Sequence, residues 1–141
     1  HNYAWKETHG GRDLWVVRKG ATPAFPGQRG FVGGSMGDDA VILEGIEGEA
    51  ARSTFHSTIH GAGRVSSRKD AFRRFTREQM QDWLRARGVL VSGGDLDESP
   101  MAYRRLPEVV VQHAGTVRVV HRLRPFAVAM AGPGEFDPFR D

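Results

Sequence analysis

Cysteine is absent from these 141 residues. No disulfide can hold the chain together, and nothing in it points to secretion, so a reducing cytoplasm is the compartment expected. No apolar run approaches the ~20 residues that span a bilayer, so no membrane partner is expected. A signal-peptide pattern is missing, and so is an initiating methionine. The chain opens on His1-Asn2-Tyr3-Ala4-Trp5-Lys6-Glu7, which reads like the interior of a protein. The expectation is the C-terminal part of a longer chain, with its N-terminal portion absent. Strong charge is missing as well: a net charge of +3 and a pI of 9.8 fit an anionic partner such as RNA or a nucleotide, but are also common in ordinary proteins. There is no internal repeat, no low-complexity tract and no regular βαβ rhythm.

Enough apolar sequence is present for a core. At 39% apolar and 26% charged residues, residues 1–141 read as one globular unit of mixed α and β structure. Residues 14–17 and 40–43 read as strands by β-branched content. Between them lie Arg18-Lys19-Gly20, a turn with Pro26 and two glycines at 24–30, and a glycine-rich stretch from 30 to 39. Residues 50–59 are compatible with a helix. Ser67, with Asp70 three residues on, marks the start of a helix whose Ala71, Phe72 and Phe75 would share a face. Thr76 and Gln79 have the spacing of a capping box. Met80, Trp83 and Leu84 supply that helix's apolar stripe, and Gly88 closes it. Residues 89–91 are extended, 93–100 form an acidic loop, and 126–130 a last strand. Residues 108–112 and 117–120 favour strand by content, although periodicity alone does not exclude a buried helix. Trp5, Trp15 and Trp83 are most simply core.

The chemistry concentrates at His60-Gly61-Ala62-Gly63-Arg64. Glycines let a backbone approach a ligand closely, and free N–H groups bind phosphate. A histidine in that setting suits a nucleophile that accepts a phosphoryl or nucleotidyl group, whereas a core histidine needs no Gly-x-Gly after it. Arg64, Arg68, Lys69, Arg73 and Arg74 follow closely, either as a solvated helix face or as an anion site. Arg64 and Arg68 would keep a neighbouring imidazole neutral. The loop Gly33-Gly34-Ser35-Met36-Gly37 lacks the Gly-Lys-Ser/Thr ending of a Walker motif. By itself it reads as a flexible turn. His56 and His60 are spaced to share a helical face but lack the glutamate of a zincin site. Asp97-Glu98 has metal-ligand chemistry, but solvated acidic residues are the plainer reading.

Taken together, these stretches resemble the C-terminal half of the RtcB family of RNA-splicing ligases. The matching pieces are His1-Asn2-Tyr3, Val17-Arg18-Lys19-Gly20-Ala21, Gly34-Ser35-Met36-Gly37 and His60-Gly61-Ala62-Gly63-Arg64 with Ser67-Arg68. Asp97-Glu98-Ser99-Pro100-Met101-Ala102-Tyr103 and Leu123-Arg124-Pro125 continue them in the family's order. The resemblance implies an α+β fold with a mixed sheet and several helices. It implies an enzyme, used in tRNA splicing and RNA repair, that joins RNA 2′,3′-cyclic phosphate or 3′-phosphate ends to 5′-hydroxyl ends with GTP and manganese. By it, His60 is the histidine that becomes guanylylated and His1 is a manganese ligand. Asn2, Gly33, Gly34, Ser35, Met36, Gly61, Ala62 and Gly63 contact the nucleotide, and Arg64 and Arg68 contact phosphate or RNA. An archease-type helper protein is implied as a partner. The resemblance also favours helix over the stretch 107–114.

Some positions depart from the family pattern. The other metal ligands, including a cysteine, would lie upstream. Ala131-Gly132 stands where the family commonly ends in Lys-Gly, Gly33 where proline is usual, and Ala40 where a serine is common. Two alternatives remain: a non-catalytic RNA-binding paralogue, or a phosphohydrolase with a histidine nucleophile.

Overall fold

Two glycines at positive φ, Gly10 (57°) and Gly11 (76°), turn the chain between its first two strands. Left-handed conformations at both central positions match the twist of a tight hairpin. β1 (Asn2–His9) and β2 (Arg12–Lys19) therefore pair antiparallel from Asn2↔Lys19 to His9↔Arg12. The computed structural model describes residues 2–132.

β3 (Ala21–Pro23) follows, then β4 (Arg29–Val32) and β5 (Ala40–Gly45). The short helix α1 (Glu49–Ser53) leads into β6 (Ser57–Ile59), which pairs antiparallel with β3. The helices α2 (Arg68–Arg74) and α3 (Arg77–Arg85) come next, then β7 (Leu90–Ser92). Two 3₁₀ turns, Leu96–Glu98 and Pro100–Ala102, lead into α4 (Leu106–Gln112). β8 (Val117–Leu123) completes an antiparallel sheet in the order β4-β5-β8, and β9 (Ala127–Ala129) runs parallel to β7. Small mixed sheets with several helices make this an α+β fold, as expected. No helix among the described residues is long and apolar enough to cross a membrane.

The interior has two centres. Val32, Val41, Leu43, Leu106, Val110 and Val117 form one with Ala24 and Ala62. Met36, Met80, Leu84 and Val89 form the other, with Trp83, Met101 and Met130 packed against it. Both local cap signals hold. The Ser67 side chain accepts from the Asp70 N–H, and Thr76 and Gln79 close a reciprocal box.

Four expectations need correction. Residues 50–59 are not one helix: α1 ends at Ser53, and Phe55 and His56 follow at φ 51° and 47°. The Ser53 and Thr54 hydroxyls donate back to the Ala50 carbonyl, and β3 takes the backbone of 57–59 into a ladder. His56 and His60 therefore share no helical face. Residues 108–112 are helical, in agreement with the resemblance and against their β-branched content. Leu106 and Val110, four apart, bury one side of α4, and tertiary burial outweighs propensity. Trp15 (71% exposed) and Trp5 (49%) are not core, whereas Trp83 is partly buried. Trp15 lies on the hairpin face opposite buried Val16 and Arg18. On α2, Ala71 is buried while Phe72 is exposed.

Candidate functional site

His60 leaves the end of β6, and the β3–β6 ladder sets it beside Gly20. The imidazole lies close over that glycine: a Cβ on Gly20 would stand 3.7 Å from both Cδ2 and Nε2 of His60. Asn2 reaches the same place through the hairpin register, where its Oδ1 accepts the Gly20 N–H at 3.3 Å. The structure thus brings Asn2 and the His60 loop together across Gly20. His1 lies outside the described residues.

The two glycine loops run side by side. Gly33 and Gly61 form a single parallel β-bridge. Each loop is anchored by one buried side chain, Ala62 in the first core and Met36 in the second. Gly34 admits no side chain, because a Cβ there would come within 2.7 Å of the Asp39 carbonyl oxygen and 2.9 Å of Asp38 Cβ. Asp38 is buried and clamps this loop to α4. Its carboxylate accepts from Arg105 at 3.1 and 2.8 Å and from the Leu106 N–H at 3.2 Å.

Two cavities open beside the bridge. One, about 650 Å³, lies between the 60–63 loop and α4, where Glu108 and Gln112 of the helix, Arg104 before it and His113 at its end line it. The other, about 360 Å³, is lined by the 33–37 loop together with Phe31, Glu98, Tyr103, Val128 and Met130. The larger, polar cleft at His60 and the smaller aromatic cleft beside it have linings that suit a phosphate and a flat base.

Arg64 and Arg68 are bonded to protein groups. Arg64 donates to the Tyr103 hydroxyl at 2.7 Å, to the Ser66 carbonyl at 3.0 Å and to the Asp97 carbonyl, and its guanidinium lies 4.6 Å from the Tyr103 ring centroid. Arg68 donates to Asp97 at 2.9 Å and to Glu98. Burial works against the Arg68 charge, but Glu98 and Asp97 outweigh it and raise its pKa. Asp97 is buried rather than solvated, at 2% exposure. Arg64 and Arg68 thus hold the wall of the aromatic cavity. Arg18 is also internal: it pairs with Glu7 beneath the hairpin.

Tyr103 carries a measurable signature of this wall. Burial, reinforced by its bond to Glu98, pushes its pKa from 10.0 up to about 12. A raised phenol pKa contributes stability that is complete below 10.0 and lost as pH rises towards about 12. An ultraviolet phenolate titration, with Tyr103→Phe as reference, should show this tyrosine ionising near the upper value. Ionisation at the ordinary value would contradict the wall as described.

Sequence reading missed Arg104, Glu108, Gln112 and His113. The signal for Glu108 and Gln112 was their spacing of four, which has meaning only once the stretch is read as helical; Arg104 lies before α4 and had no such signal. Among the described residues no three histidine or carboxylate side chains gather as a metal site. They do not by themselves fit the manganese implied by the resemblance.

The family model described as tRNA-splicing ligase RtcB matches residues 1–131. An RNA-splicing ligase RtcB of Escherichia coli K12 is 39% identical over 127 residues, covering 88% of this chain and 30% of that protein. A tRNA-splicing ligase RtcB of Thermococcus kodakarensis is 40% identical over 152 residues, covering 92% and 31%. An RNA-splicing ligase RtcB of Mycobacterium bovis is 38% identical over 148 residues, covering 89% and 34%. The chain spans about a third of the length of these relatives.

Proposed function

Because the chain belongs to the RtcB family, we propose that it is the C-terminal part of an RNA ligase that works through a guanylylated histidine. His60 attacks the α-phosphorus of GTP, a P–N bond forms, and the bond to pyrophosphate breaks. An RNA 3′-phosphate oxygen then takes the GMP from His60. The 5′-hydroxyl of the second RNA end attacks that activated phosphate and releases GMP. A poor leaving group becomes a good one in two transfers.

One observation carries the reading: His60 stands on a glycine-flanked loop that lines a polar cavity and is bridged to the loop of an aromatic one, with Gly20 against its imidazole and Asn2 bonded to the Gly20 N–H. The cavity of Gly33, Gly34, Ser35 and Met36 takes the guanine, and Gly61, Ala62 and Gly63 cradle the phosphate. Arg64 and Arg68 support the guanine wall through Tyr103, Glu98 and Asp97. His1 would give one bond to a manganese ion whose other ligands come from the upstream part of the parent chain. The parent enzyme is cytoplasmic, acts on tRNA halves or broken RNA, and pairs with an archease-type helper.

The test is labelling by GTP carrying a radioactive α-phosphate, with manganese. The parent chain should take up label, and the label should map to the peptide that holds His60. The 141-residue chain alone should stay unlabelled, because its metal site is split. Label on another residue of the parent chain contradicts the assignment. A parent chain that takes up no label and still binds RNA is the non-catalytic paralogue instead.

A further inference from the structure

We propose that Arg104 and the α4 wall facing His60 form the subsite for the phosphate that lies across from the histidine during nucleotidyl transfer. This subsite binds pyrophosphate in the first step and the RNA 3′-phosphate in the second. The inference rests on His60 being the nucleophile.

The chemistry fixes where such a site must lie. In an in-line displacement the entering and leaving groups sit on opposite sides of the phosphorus. When His60 attacks, pyrophosphate departs from the side facing away from the imidazole. When the RNA phosphate removes GMP from His60, it approaches from that same side. One subsite therefore serves both, and it lies across the cavity from His60.

The structure places α4 there. The smaller cavity, with Phe31, Tyr103 and Met130, suits the base. With the base so placed and the transferred phosphorus at His60, the larger cavity is left for the group opposite. Glu108, Gln112 and His113 line its α4 side, and Arg104, just before α4, stands where that side meets the 60–63 loop. The Arg104 N–H donates to the Gly63 carbonyl at 2.9 Å, which ties the residue to the 60–63 loop. Its guanidinium reaches back over the same glycine, with Nη1 3.5 Å from where a Gly63 Cβ would stand.

Arg104 also differs from the other arginines around this site. Arg64, Arg68 and Arg105 are each bonded to protein oxygens. The Arg104 guanidinium makes no hydrogen bond or ion pair among the described residues, and it is exposed. Glu108 is the carboxylate lining this cavity, and it forms no ion pair with Arg104. An unpaired guanidinium over a glycine backbone presents a fork of donors to two phosphate oxygens.

The test uses the parent ligase with Arg104→Gln and Arg104→Lys. One arm measures pyrophosphorolysis, the release of GTP from guanylylated enzyme by inorganic pyrophosphate. The other measures single-turnover GMP transfer from guanylylated enzyme to an oligoribonucleotide with a 3′-phosphate. Arg104→Gln should weaken the apparent affinity for the phosphate about tenfold or more in both arms. Arg104→Lys should recover part of it, and the melting temperature should stay unchanged because the side chain holds nothing in place. A defect in one arm only overturns the shared subsite. Unchanged kinetics in both arms overturn the proposal. Labelling that survives His60→Ala overturns the nucleophile itself, whatever Arg104 does.

Discussion

Replacing His60 with alanine is expected to abolish guanylylation of the parent enzyme and to reduce RNA joining by about a thousandfold or more. Losses of that order follow when a covalent nucleophile is removed, because binding and electrostatics alone remain. The fold should tolerate the change. His60 is exposed at the end of β6, and surface substitutions of this kind stay within about 0.5 kcal/mol. Circular dichroism melting should therefore match the unaltered protein while labelling by GTP disappears. His121→Ala, on an exposed position of β8 away from both cavities, is the control that should keep its label. Retained labelling in His60→Ala, at an unchanged melting temperature, would remove His60 from the mechanism.

The largest expected effect on stability lies elsewhere. Arg18→Ala should destabilise the protein by about 3–5 kcal/mol. The Arg18 side chain is 1% exposed and that of Glu7 7%. Arg18 grips both Glu7 oxygens, at 2.5 and 3.0 Å. It also donates to the Ser57 hydroxyl at 2.9 Å and to the Phe55 carbonyl at 2.9 Å, so it ties the hairpin to the 55–57 turn. Truncation leaves the Glu7 carboxylate buried without its cation, and a typical total stability is only about 5–15 kcal/mol. Because the 55–57 turn leads into β6, the damage also reaches the strand that carries His60.

The same pair predicts a pH dependence. The Arg18 hydrogen bond, helped by His9 at 2.8 Å, holds the Glu7 pKa below its ordinary 4.5. A depressed carboxyl pKa contributes stability that is present above 4.5 and lost as pH falls through the folded value. In Arg18→Ala that contribution is gone, so the deficit should shrink on acidification below 4.5. Denaturant melts of both proteins from neutral to acid pH check this. A deficit that grows as the pH falls would exclude the Arg18–Glu7 pair as its source.

Several features were legible in the sequence because their physics is local. The Ser67 cap and the Thr76–Gln79 box each join groups three residues apart. The His60 motif was legible as chemistry because a glycine-flanked histidine carries its meaning within five residues. The ordered motifs were enough to indicate the family, and the family match over residues 1–131 agrees with them.

What only the tertiary structure decided is non-local. The β-branched run at 108–112 became helical because Leu106 and Val110 both had a core to enter. Residues 57–59 became a strand because β3, far upstream, offered a ladder. By sequence Arg64 and Arg68 fit either a solvated helix face or an anion site, and folding gives them protein partners 29 to 39 residues away, in Asp97, Glu98 and Tyr103. Folding also brought Arg104 over Gly63 and left its guanidinium unpaired among the described residues. A charge's partner is set by distance in space, and the order of residues along the chain does not encode that distance directly.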